Sequence, residues 1–387
     1  MLSTTVSFFV SLLVALLIVR FAHKSKRMLD CDLKSVQKIH AKPVPRIGGL
    51  AIFVAAVVGC VVVYLQTPAI GSWVAMLLLS ASAAFGCGIV EDFTKNVSPR
   101  RRLLLTMVSA TVAYFLLDAS IARVDVPIID LCLSYVWLSL PLTIFAVSGV
   151  ANAVNIIDGF NGLAGAVSMF MLLSLAYVAF QVGDLHVMGA ALIMVGAIAG
   201  FMLWNYPHGM IFMGDGGAYF IGFVLAELAV LLVARNPSVS AWYPILLLIY
   251  PVVETVFSIY RRKVLRGVPP GLPDGVHLHM LIFKRLVRWT VRSRDARALT
   301  RRNALTSPYL WFLSLMAVVP ATLLWQYTFM LGACCFLFIA TYVWLYAKIV
   351  RFNAPAWMIL QRRVQRQRLV QVVPPQILVE TKRENSA

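Results

Sequence analysis

The chain has 387 residues, of which 60% are hydrophobic and only 13% are charged, and its formal net charge is +18. This composition excludes a soluble globular protein, because that much apolar surface cannot be buried in a water-soluble core, and it indicates a protein whose solvent is lipid. Nucleic-acid binding is not indicated either, because the basic residues lie in short clusters between apolar runs. The six cysteines show no paired spacing, which argues against a disulfide framework and a structural zinc site.

Apolar runs long enough to cross a bilayer recur along the chain. A hydrocarbon core of ~30 Å needs about 20 helical residues at ~1.5 Å each. The first run has no basic residue before it and several after it, the reverse of a secretory signal, so we predict a retained helix. The predicted membrane helices cover 3–22, 47–66, 71–90, 102–118, 131–151, 163–181, 187–204, 217–234, 242–260, 308–326 and 329–350.

The distribution of lysine and arginine predicts how these helices are oriented. With a periplasmic N-terminus, 30 of the 34 lysines and arginines fall in cytoplasmic segments, and only Arg123 and Arg235 lie clearly outside. The opposite orientation would violate the positive-inside rule. We therefore predict an all-α integral membrane protein: a polytopic bundle of about eleven transmembrane helices over 1–351, followed by a basic cytoplasmic tail at 352–387.

Most acidic residues avoid the middle of the predicted helices, where burying a charge costs ~2.5–3.5 kcal/mol or more. They fall instead in predicted cytoplasmic loops or at cytoplasmic helix ends, where one shallow site could collect them. Solvated loop acids are the simpler alternative, but the stretch 152–218 contains no lysine or arginine and its loops are rich in glycine and asparagine. The acids concerned are Glu91, Asp92, Asp158, Asp215 and Asp274.

Polar side chains recur every three residues between the predicted helices 131–151 and 163–181. Asn152, Asn155, Asp158 and Asn161 have the spacing that places side chains on one face of a turn. The glycines among them allow a ligand to approach the backbone closely. This pattern predicts a ligand-binding turn, with helix capping by Asp158 or Asn161 as the alternative.

Asp215 lies among glycines just before the predicted helix 217–234. A lone carboxylate there suits Mg²⁺, which takes one or two carboxylates and completes its shell with water and phosphate oxygens. A helix N-cap is the alternative. Earlier in the chain, Glu91 and Asp92 precede the basic cluster at 95–102, where paired acids could divide the roles of base and metal ligand and the cations could neutralise phosphate.

Two histidines, His277 and His279, follow Asp274 in the longest predicted cytoplasmic loop. Their spacing does not meet a structural zinc pattern, but it is consistent with contact to phosphate or to a metal ion. Incidental loop histidines are the alternative. The neighbouring prolines and glycines favour an ordered loop.

Taken in order, these segments resemble the polyprenyl-phosphate N-acetylhexosamine-1-phosphate transferase family, the MraY/WecA-type enzymes of glycosyltransferase family 4. The resemblance runs from about Lys42 to Arg285, and Glu254 stands where the family frequently has aspartate. Five motifs in the expected order carry it: the stretch that begins at Lys42, the pair Glu91 and Asp92, the turn from Asn155 to Asn161, the segment from Phe212 to Asp215, and the pair His277 and His279.

The resemblance implies transfer of a sugar 1-phosphate from a UDP-N-acetylhexosamine to undecaprenyl phosphate, with release of UMP. It implies a requirement for Mg²⁺, with Mn²⁺ as a substitute, and a site at the cytoplasmic face of the bacterial inner membrane. The product would initiate a cell-envelope polysaccharide such as O-antigen. No nucleic-acid partner is expected, and a homodimer is left open.

By position, the resemblance implies that Asp215 ligates the metal with Asp92, and that Asp92 or Glu91 deprotonates or orients the lipid phosphate. Asp158 would belong to the catalytic acids and would hold uridine. Asn161 and Phe212 would also hold uridine. The phosphates would be contacted by Lys42, Asn155, Asn205, His277 and His279.

The chain departs from the family pattern at two positions. Glu91 stands where relatives commonly have aspartate, so the longer side chain leaves the identity of the base open. Met280 replaces a further histidine that many members carry, which removes one polar contact and is consistent with a different sugar preference. One-step and two-step mechanisms are both compatible with these residues.

Two other membrane functions would require features that the sequence does not show. A transporter for a phosphorylated or nucleotide-linked solute would use Glu227 and Glu254 as intramembrane coupling groups, but no internal repeat is visible in the sequence. A CDP-alcohol phosphotransferase would need closely spaced aspartates along one helix face, and the sequence has no such run.

Overall fold

The computed structural model describes residues 1–22, 29–30, 43–267, 269, 274–287 and 296–351. Lys42 and the predicted tail at 352–387 lie outside the described residues. The helices are α1 Leu2–Phe21, α2 Gly48–Gln66, α3 Pro68–Thr94, α4 Pro99–Leu117, α5 Pro127–Leu133, α6 Val136–Ile157, α7 Leu163–Val182, α8 Leu185–Asn205, α9 Gly214–Arg235, α10 Trp242–Leu247, α11 Ile249–Tyr260, α12 Leu278–Leu281, α13 Ala296–Leu323 and α14 Thr328–Val350. Two short strands, β1 Leu29–Asp30 and β2 Val44–Pro45, pair antiparallel.

Within the described ranges, nine helices are long and apolar enough to span a membrane: α1, α2, α3, α6, α7, α8, α9, α13 and α14. The chain is thus an all-α membrane protein. Each of the eleven predicted runs falls on helix, but two do not qualify as spans. Three arginines occupy the first turn of α4. The run 242–260 divides into α10 and α11 because Pro251 has no N–H to donate to the carbonyl of Leu247, where α10 ends.

Helix α9 lies at the centre of the bundle and is buried on nearly all sides. It packs against α3, α6, α2 and α7. Glycines allow these close contacts: Gly217 lies against Gly49 of α2, Gly216 lies against Gly88 of α3, and Gly222 lies against α6. A helix that is apolar all round and surrounded by others has little freedom to shift, so its first residues are held in a defined place.

Polar groups gather at one end of the bundle, which we call the site end. There α3, α6, α8 and α11 end while α4, α7 and α9 begin. The opposite end has a separate polar cluster, in which Asp125 accepts hydrogen bonds from the Ser240 hydroxyl, the Ala241 amide and the Thr328 hydroxyl. These bonds join the approach to α5 with α10 and α14 at the opposite end.

Candidate active site

The start of α9 is capped by an acid from another helix. The Asp92 side chain is fully buried, and its two oxygens accept the backbone amides of Asp215 and Gly216, each at 2.9 Å. A carboxylate in this place satisfies free amides and complements the positive end of the helix dipole. Asp215 is therefore not the N-cap of α9. It is the second residue of a helix that begins at Gly214 and is capped by Asp92.

Basic and amide groups surround the Asp215 side chain. Arg102 donates to one carboxylate oxygen, and the Asn155 side-chain amide donates to the other at 3.1 Å. The Arg46 guanidinium lies 3.7 Å from Asp215 and 3.8 Å from Asp92. Asp215 keeps 13% of its side chain exposed, whereas Asp92 exposes none, so only Asp215 offers its carboxylate to the cleft.

Gly214 allows the two acids to approach. Its φ of +75° lies in the left-handed region that favours glycine. A Cβ atom at this position would collide with the Arg46 carbonyl and would lie 2.5 Å from Asp92 Oδ2. The glycine before Asp215 is therefore required by its close contacts with the Arg46 carbonyl and with Asp92.

The backbone around Arg46 is tied to the backbone before α9. The Phe212 amide donates to the Pro45 carbonyl at 2.8 Å, and the Gly48 amide donates to the Phe212 carbonyl at 2.9 Å. These bonds hold Arg46 and Phe212 at the same wall of the site. Arg46 belongs to the motif that begins at Lys42. The resemblance implied phosphate contact for Lys42 and no role for Arg46.

The predicted ligand-binding turn between α6 and α7 is held by side chains from elsewhere. The Gly162 amide donates to Asn205 Oδ1 at 2.6 Å, and the Asn205 side-chain amide donates to the Ile211 carbonyl at 2.7 Å. Asn161 in turn donates to the Pro207 carbonyl at 3.3 Å. Asn205, predicted to contact phosphate, therefore also fixes the turn against the end of α8.

Asp158 lies at the junction of α6 and this turn. Burial raises the pKa of its carboxyl to about 7, and the nearby Arg46 guanidinium opposes that shift. At neutral pH the carboxyl is thus poised between its neutral and charged forms. No side-chain hydrogen bond from Asp158 caps α7, so the capping alternative is not supported for this residue.

Glu254, in the middle of α11, organises the histidine loop. Its Oε1 atom accepts the Leu278 amide at 2.8 Å and lies 3.1 Å from His277 Nδ1 and 3.8 Å from His279 Nδ1. The two imidazole rings stack with centroids 5.1 Å apart, and His279 meets the Phe160 ring edge-on. Burial lowers the pKa of His279 to about 4, so this ring is neutral near pH 7.

Asp274 anchors the same loop from the other side. It accepts a hydrogen bond from the Ser258 hydroxyl at 2.6 Å, pairs with Arg261, and lies 3.5 Å from His277 Nε2. Burial alone would raise the pKa of Asp274, but the hydroxyl, the imidazole and the guanidinium together lower it below its ordinary value. Both ring nitrogens of His277 therefore face carboxylate oxygens.

A polar cavity of about 430 Å³ joins these parts. The predicted site residues on its wall are Glu91, Asn155, Asp158, Asn161, Asn205, Phe212, Asp215, His277 and His279. Asp92 lies behind Asp215 rather than on the wall. Arg102, from the basic cluster at 95–102, and Asp274, from the histidine loop, also line the cavity. Arg46 and Asn303 line it as well. Asn303 is not among the residues predicted from the sequence, where its only signal is its polar side chain shortly before the predicted span 308–326.

A second cavity, of about 780 Å³ and largely apolar, adjoins the first. Neighbouring residues line the two spaces: Arg102 faces the polar cavity and Leu103 the apolar one, and along α6 the change comes between Ala153 and Asn155. Its wall is built from α4, α6, α9, α10 and α11 and includes Met107, Leu142, Phe145, Ile245 and Val256.

The acids present fit a loosely held divalent cation. Within the ranges the structure describes, no group of three or more His, Cys, Asp or Glu residues is arranged as a metal site, so a closed protein cage is excluded there. Mg²⁺ needs only one or two carboxylates when phosphate oxygens and water complete its shell. Asp215 is partly exposed to the cleft and would offer one such carboxylate in exchange for its hydrogen bonds from Arg102 and Asn155. Asp92 is fully buried, and both its oxygens accept backbone amides.

Fold and site together define a class: a multi-pass membrane protein with an open acidic and basic cleft at one end of the bundle and an apolar cavity beside it. Residues 73–233 match the family described as Glycosyl transferase family 4. The chain belongs to this family, in its branch of polyprenyl-phosphate hexosamine-1-phosphate transferases.

Several bacterial relatives carry this similarity. The chain is 30% identical over 289 residues to a probable undecaprenyl-phosphate N-acetylglucosaminyl 1-phosphate transferase of Bacillus subtilis, covering 72% of this chain and 77% of the relative. It is 29% identical over 308 residues to a decaprenyl-phosphate N-acetylglucosaminephosphotransferase of Mycobacterium tuberculosis, covering 69% and 73%. A phospho-N-acetylmuramoyl-pentapeptide-transferase of Caldicellulosiruptor bescii is 31% identical over 199 residues, covering 49% and 60%.

Proposed function

We propose that this protein transfers N-acetylhexosamine 1-phosphate from a UDP-sugar to undecaprenyl phosphate. An oxygen of the acceptor phosphate attacks the β-phosphorus of the UDP-sugar. The bond between that phosphorus and the oxygen bridging to the α-phosphate breaks, UMP leaves, and an undecaprenyl-diphosphate-sugar forms. The names of the relatives support the acceptor and the sugar class. Initiation of a cell-envelope polysaccharide such as O-antigen is the corresponding pathway role.

One observation carries the proposal: a polar cleft that brings Asp215 together with two guanidinium groups opens beside an apolar cavity. Arg46 and Arg102 both lie within reach of the Asp215 carboxylate. Such cations suit the negative charge of a diphosphate and a lipid phosphate. The apolar cavity beside Arg102 suits the first isoprene units of the acceptor, whose phosphate would then lie in the cleft.

Each side of the cleft has a part in this reaction. Asn161, Asp158 and Phe212 hold the uridine, while Arg46, Arg102 and Asn155 bind the phosphates. His277 and His279 contact the diphosphate from the facing loop. Asp215 would hold Mg²⁺, or Mn²⁺ in its place, and the chemistry such an ion would supply there is neutralisation of phosphate charge.

The two neighbouring acids divide their work. Glu91 lines the cavity, with its Oε2 atom accepting the Val97 amide at 2.6 Å. Asp92 is buried beneath Asp215 and caps α9. We assign orientation or deprotonation of the acceptor phosphate to Glu91, and support of Asp215 to Asp92. This revises the expectation that Asp92 is itself a metal ligand.

The site end faces the cytoplasm of a bacterial inner membrane in this proposal. UDP-sugars are cytoplasmic, and 30 of the 34 lysines and arginines lie in the segments predicted to be cytoplasmic. Of those that the structure describes, Arg46 and Arg102 line the polar cavity. No observation favours the transporter alternative. Glu254, one of its two coupling groups, is engaged by the histidine loop. Glu227, the other, is fully buried, and its carboxylate has no hydrogen-bond partner within the described part of the chain.

The test is a turnover assay with purified protein, Mg²⁺, undecaprenyl phosphate and a panel of UDP-N-acetylhexosamines, with UMP release as the readout. We expect UMP from at least one sugar, and its loss when EDTA removes the metal. Asp215→Asn should reduce turnover by at least about 100-fold, because the carboxylate would hold the metal ion that offsets phosphate charge. Asp130→Asn, the same change at the opposite end of the bundle, should leave turnover unchanged. Absence of UMP with every sugar would contradict the proposal.

A further inference from the structure

The backbone of Asn161 and Gly162 is neither helix nor strand, yet all of its polar groups are satisfied. The Asn161 amide donates to Asn303 Oδ1 at 2.8 Å, and the Asn161 carbonyl accepts the Ser307 hydroxyl at 2.6 Å. The Gly162 carbonyl accepts Trp311 Nε1 at 3.0 Å, and the Gly162 amide is held from α8. Three of these four side-chain contacts come from one helix, α13.

The three residues form a single stripe on α13. Asn303, Ser307 and Trp311 are spaced four residues apart, so they lie one above another on the same helix face. Asn303 and Ser307 are buried. The Trp311 ring also packs on Tyr206 at the end of α8, with centroids 4.9 Å apart. The stripe therefore contacts the turn along about two helical turns of α13.

The length of α13 explains how a membrane helix reaches the site. At ~1.5 Å per residue, its 28 residues extend about 42 Å, more than a hydrocarbon core of ~30 Å requires. The excess lies at its N-terminal end, ahead of the predicted span 308–326. That extension carries Asn303 to the wall of the polar cavity and lays Arg302 over the Phe283 ring, 4.6 Å from its centroid.

We propose that the stripe Asn303, Ser307 and Trp311 is a positioning clamp for the sugar-nucleotide site: it fixes the turn that holds the nucleotide and so sets affinity for the UDP-sugar rather than for the lipid. The inference rests on the proposed function. Its physical basis is that a backbone with a left-handed residue, Gly162 at φ +73°, keeps one conformation only where its surroundings hold it. Without the clamp, binding must first order the turn, which weakens apparent affinity.

The test compares four variants by steady-state kinetics and by equilibrium binding of UMP. Ser307→Ala and Asn303→Ala should each raise the KM for the UDP-sugar and weaken UMP binding by roughly fivefold to tenfold, since each removes a buried hydrogen bond. The KM for undecaprenyl phosphate should stay within about twofold of wild type. Ser307→Thr keeps the hydroxyl and should restore UMP affinity.

Ser314→Ala is the matched control. Ser314 lies on the same helix and is fully buried, but its hydroxyl has no hydrogen-bond partner in the described structure. It should bind UMP like wild type. Unchanged UMP affinity in both Ser307→Ala and Asn303→Ala, or an equal loss in Ser314→Ala, would overturn the clamp. A wild-type protein that neither binds UMP nor releases it from any UDP-sugar would instead refute the proposed function.

Discussion

At the scale of single residues, three aspartates that look alike in the sequence occupy different environments. Asp92 is buried and accepts two backbone amides, and Asp215 meets two guanidinium groups at the open cleft. Asp158 is half-buried at the start of the turn between α6 and α7, with Arg46 nearby to offset the cost of its charge. Their chemistry is therefore set by partners contributed from other helices. The same holds for Glu254, whose partners come from the histidine loop.

The raised pKa of Asp158, about 7, predicts a pH-dependent difference in stability. A carboxyl whose pKa is higher in the folded state binds protons more tightly when folded, so its stabilisation is full below the unfolded value near 4 and is lost as pH rises through 7. Asp158→Asn stays neutral throughout. We expect this variant to gain thermal stability relative to the wild type as pH rises from 5 to 8.

Thermal unfolding of the two purified proteins without substrate measures this difference. Comparing them at each pH removes the contribution of His279, whose lowered pKa acts in the opposite direction over the same range. Asn161→Ala changes the same turn without a titrating group, and its offset from wild type should not vary with pH. A constant offset for Asp158→Asn as well would show that this carboxyl does not titrate in the range.

At the scale of elements, the site depends on where helices begin and end. The first turn of α9 lies against α3 and against the segment that carries Arg46, and the contacts are so close that only glycine fits at position 214. Helix α13 contributes through an extension beyond its membrane span. In α9 and α13, apolar and small residues away from the site pack against neighbouring helices. This packing fixes where the polar residues at the start of each helix lie.

Gly214→Ala should therefore reduce turnover strongly. The added Cβ would collide with the Arg46 carbonyl and with Asp92, and the left-handed φ is itself unfavourable for alanine. Because a displacement of about 1 Å can cost roughly 100-fold in rate, we expect a loss of that order in UMP release. Gly86→Ala in α3 is the control, since a Cβ there meets nothing within 4 Å. Equal activity in the two variants would count against the close packing at α9.

At the scale of the whole molecule, the bundle has two unlike ends. The site end combines the acids, the arginines and the histidine loop, whereas the opposite end has the polar cluster around Asp125. The apolar cavity is lined by residues from Leu103 near the site end to Arg123 and Val124 at the opposite end. In the proposed function, the charged substrate and the lipid acceptor meet where the polar and apolar cavities adjoin.

The proposed orientation predicts which loops are accessible from outside the cell. In a variant without native cysteines, Asn96→Cys reports the α3–α4 loop at the site end, and Ser238→Cys reports the α9–α10 loop at the opposite end. Both positions are exposed. A membrane-impermeant maleimide should label the cysteine at 238 in intact spheroplasts and the one at 96 only after permeabilisation. The reverse pattern would invert the topology.

The sequence by itself determined the class and much of the site. Hydropathy located every long helix, because a segment in lipid must be apolar and about 20 residues long whatever its neighbours are. Local motifs were enough to predict that Asp158, Asn161, Asp215 and His277 belong to one site, and all four line the polar cavity. The predicted count of about eleven spans is not confirmed: nine helices in the described ranges are long and apolar enough, because Pro251 breaks the run 242–260 and arginines begin α4.

Only the tertiary structure decided which groups face the cleft and which support it. Asp92 and Glu91 are adjacent in sequence, yet one caps α9 and the other lines the cavity, because consecutive helical residues point about 100° apart. Arg46 and Asn303 reach the site through contacts more than 100 residues away in the chain, and no local pattern encodes such contacts. Their roles depend on how helices pack, which hydropathy does not specify.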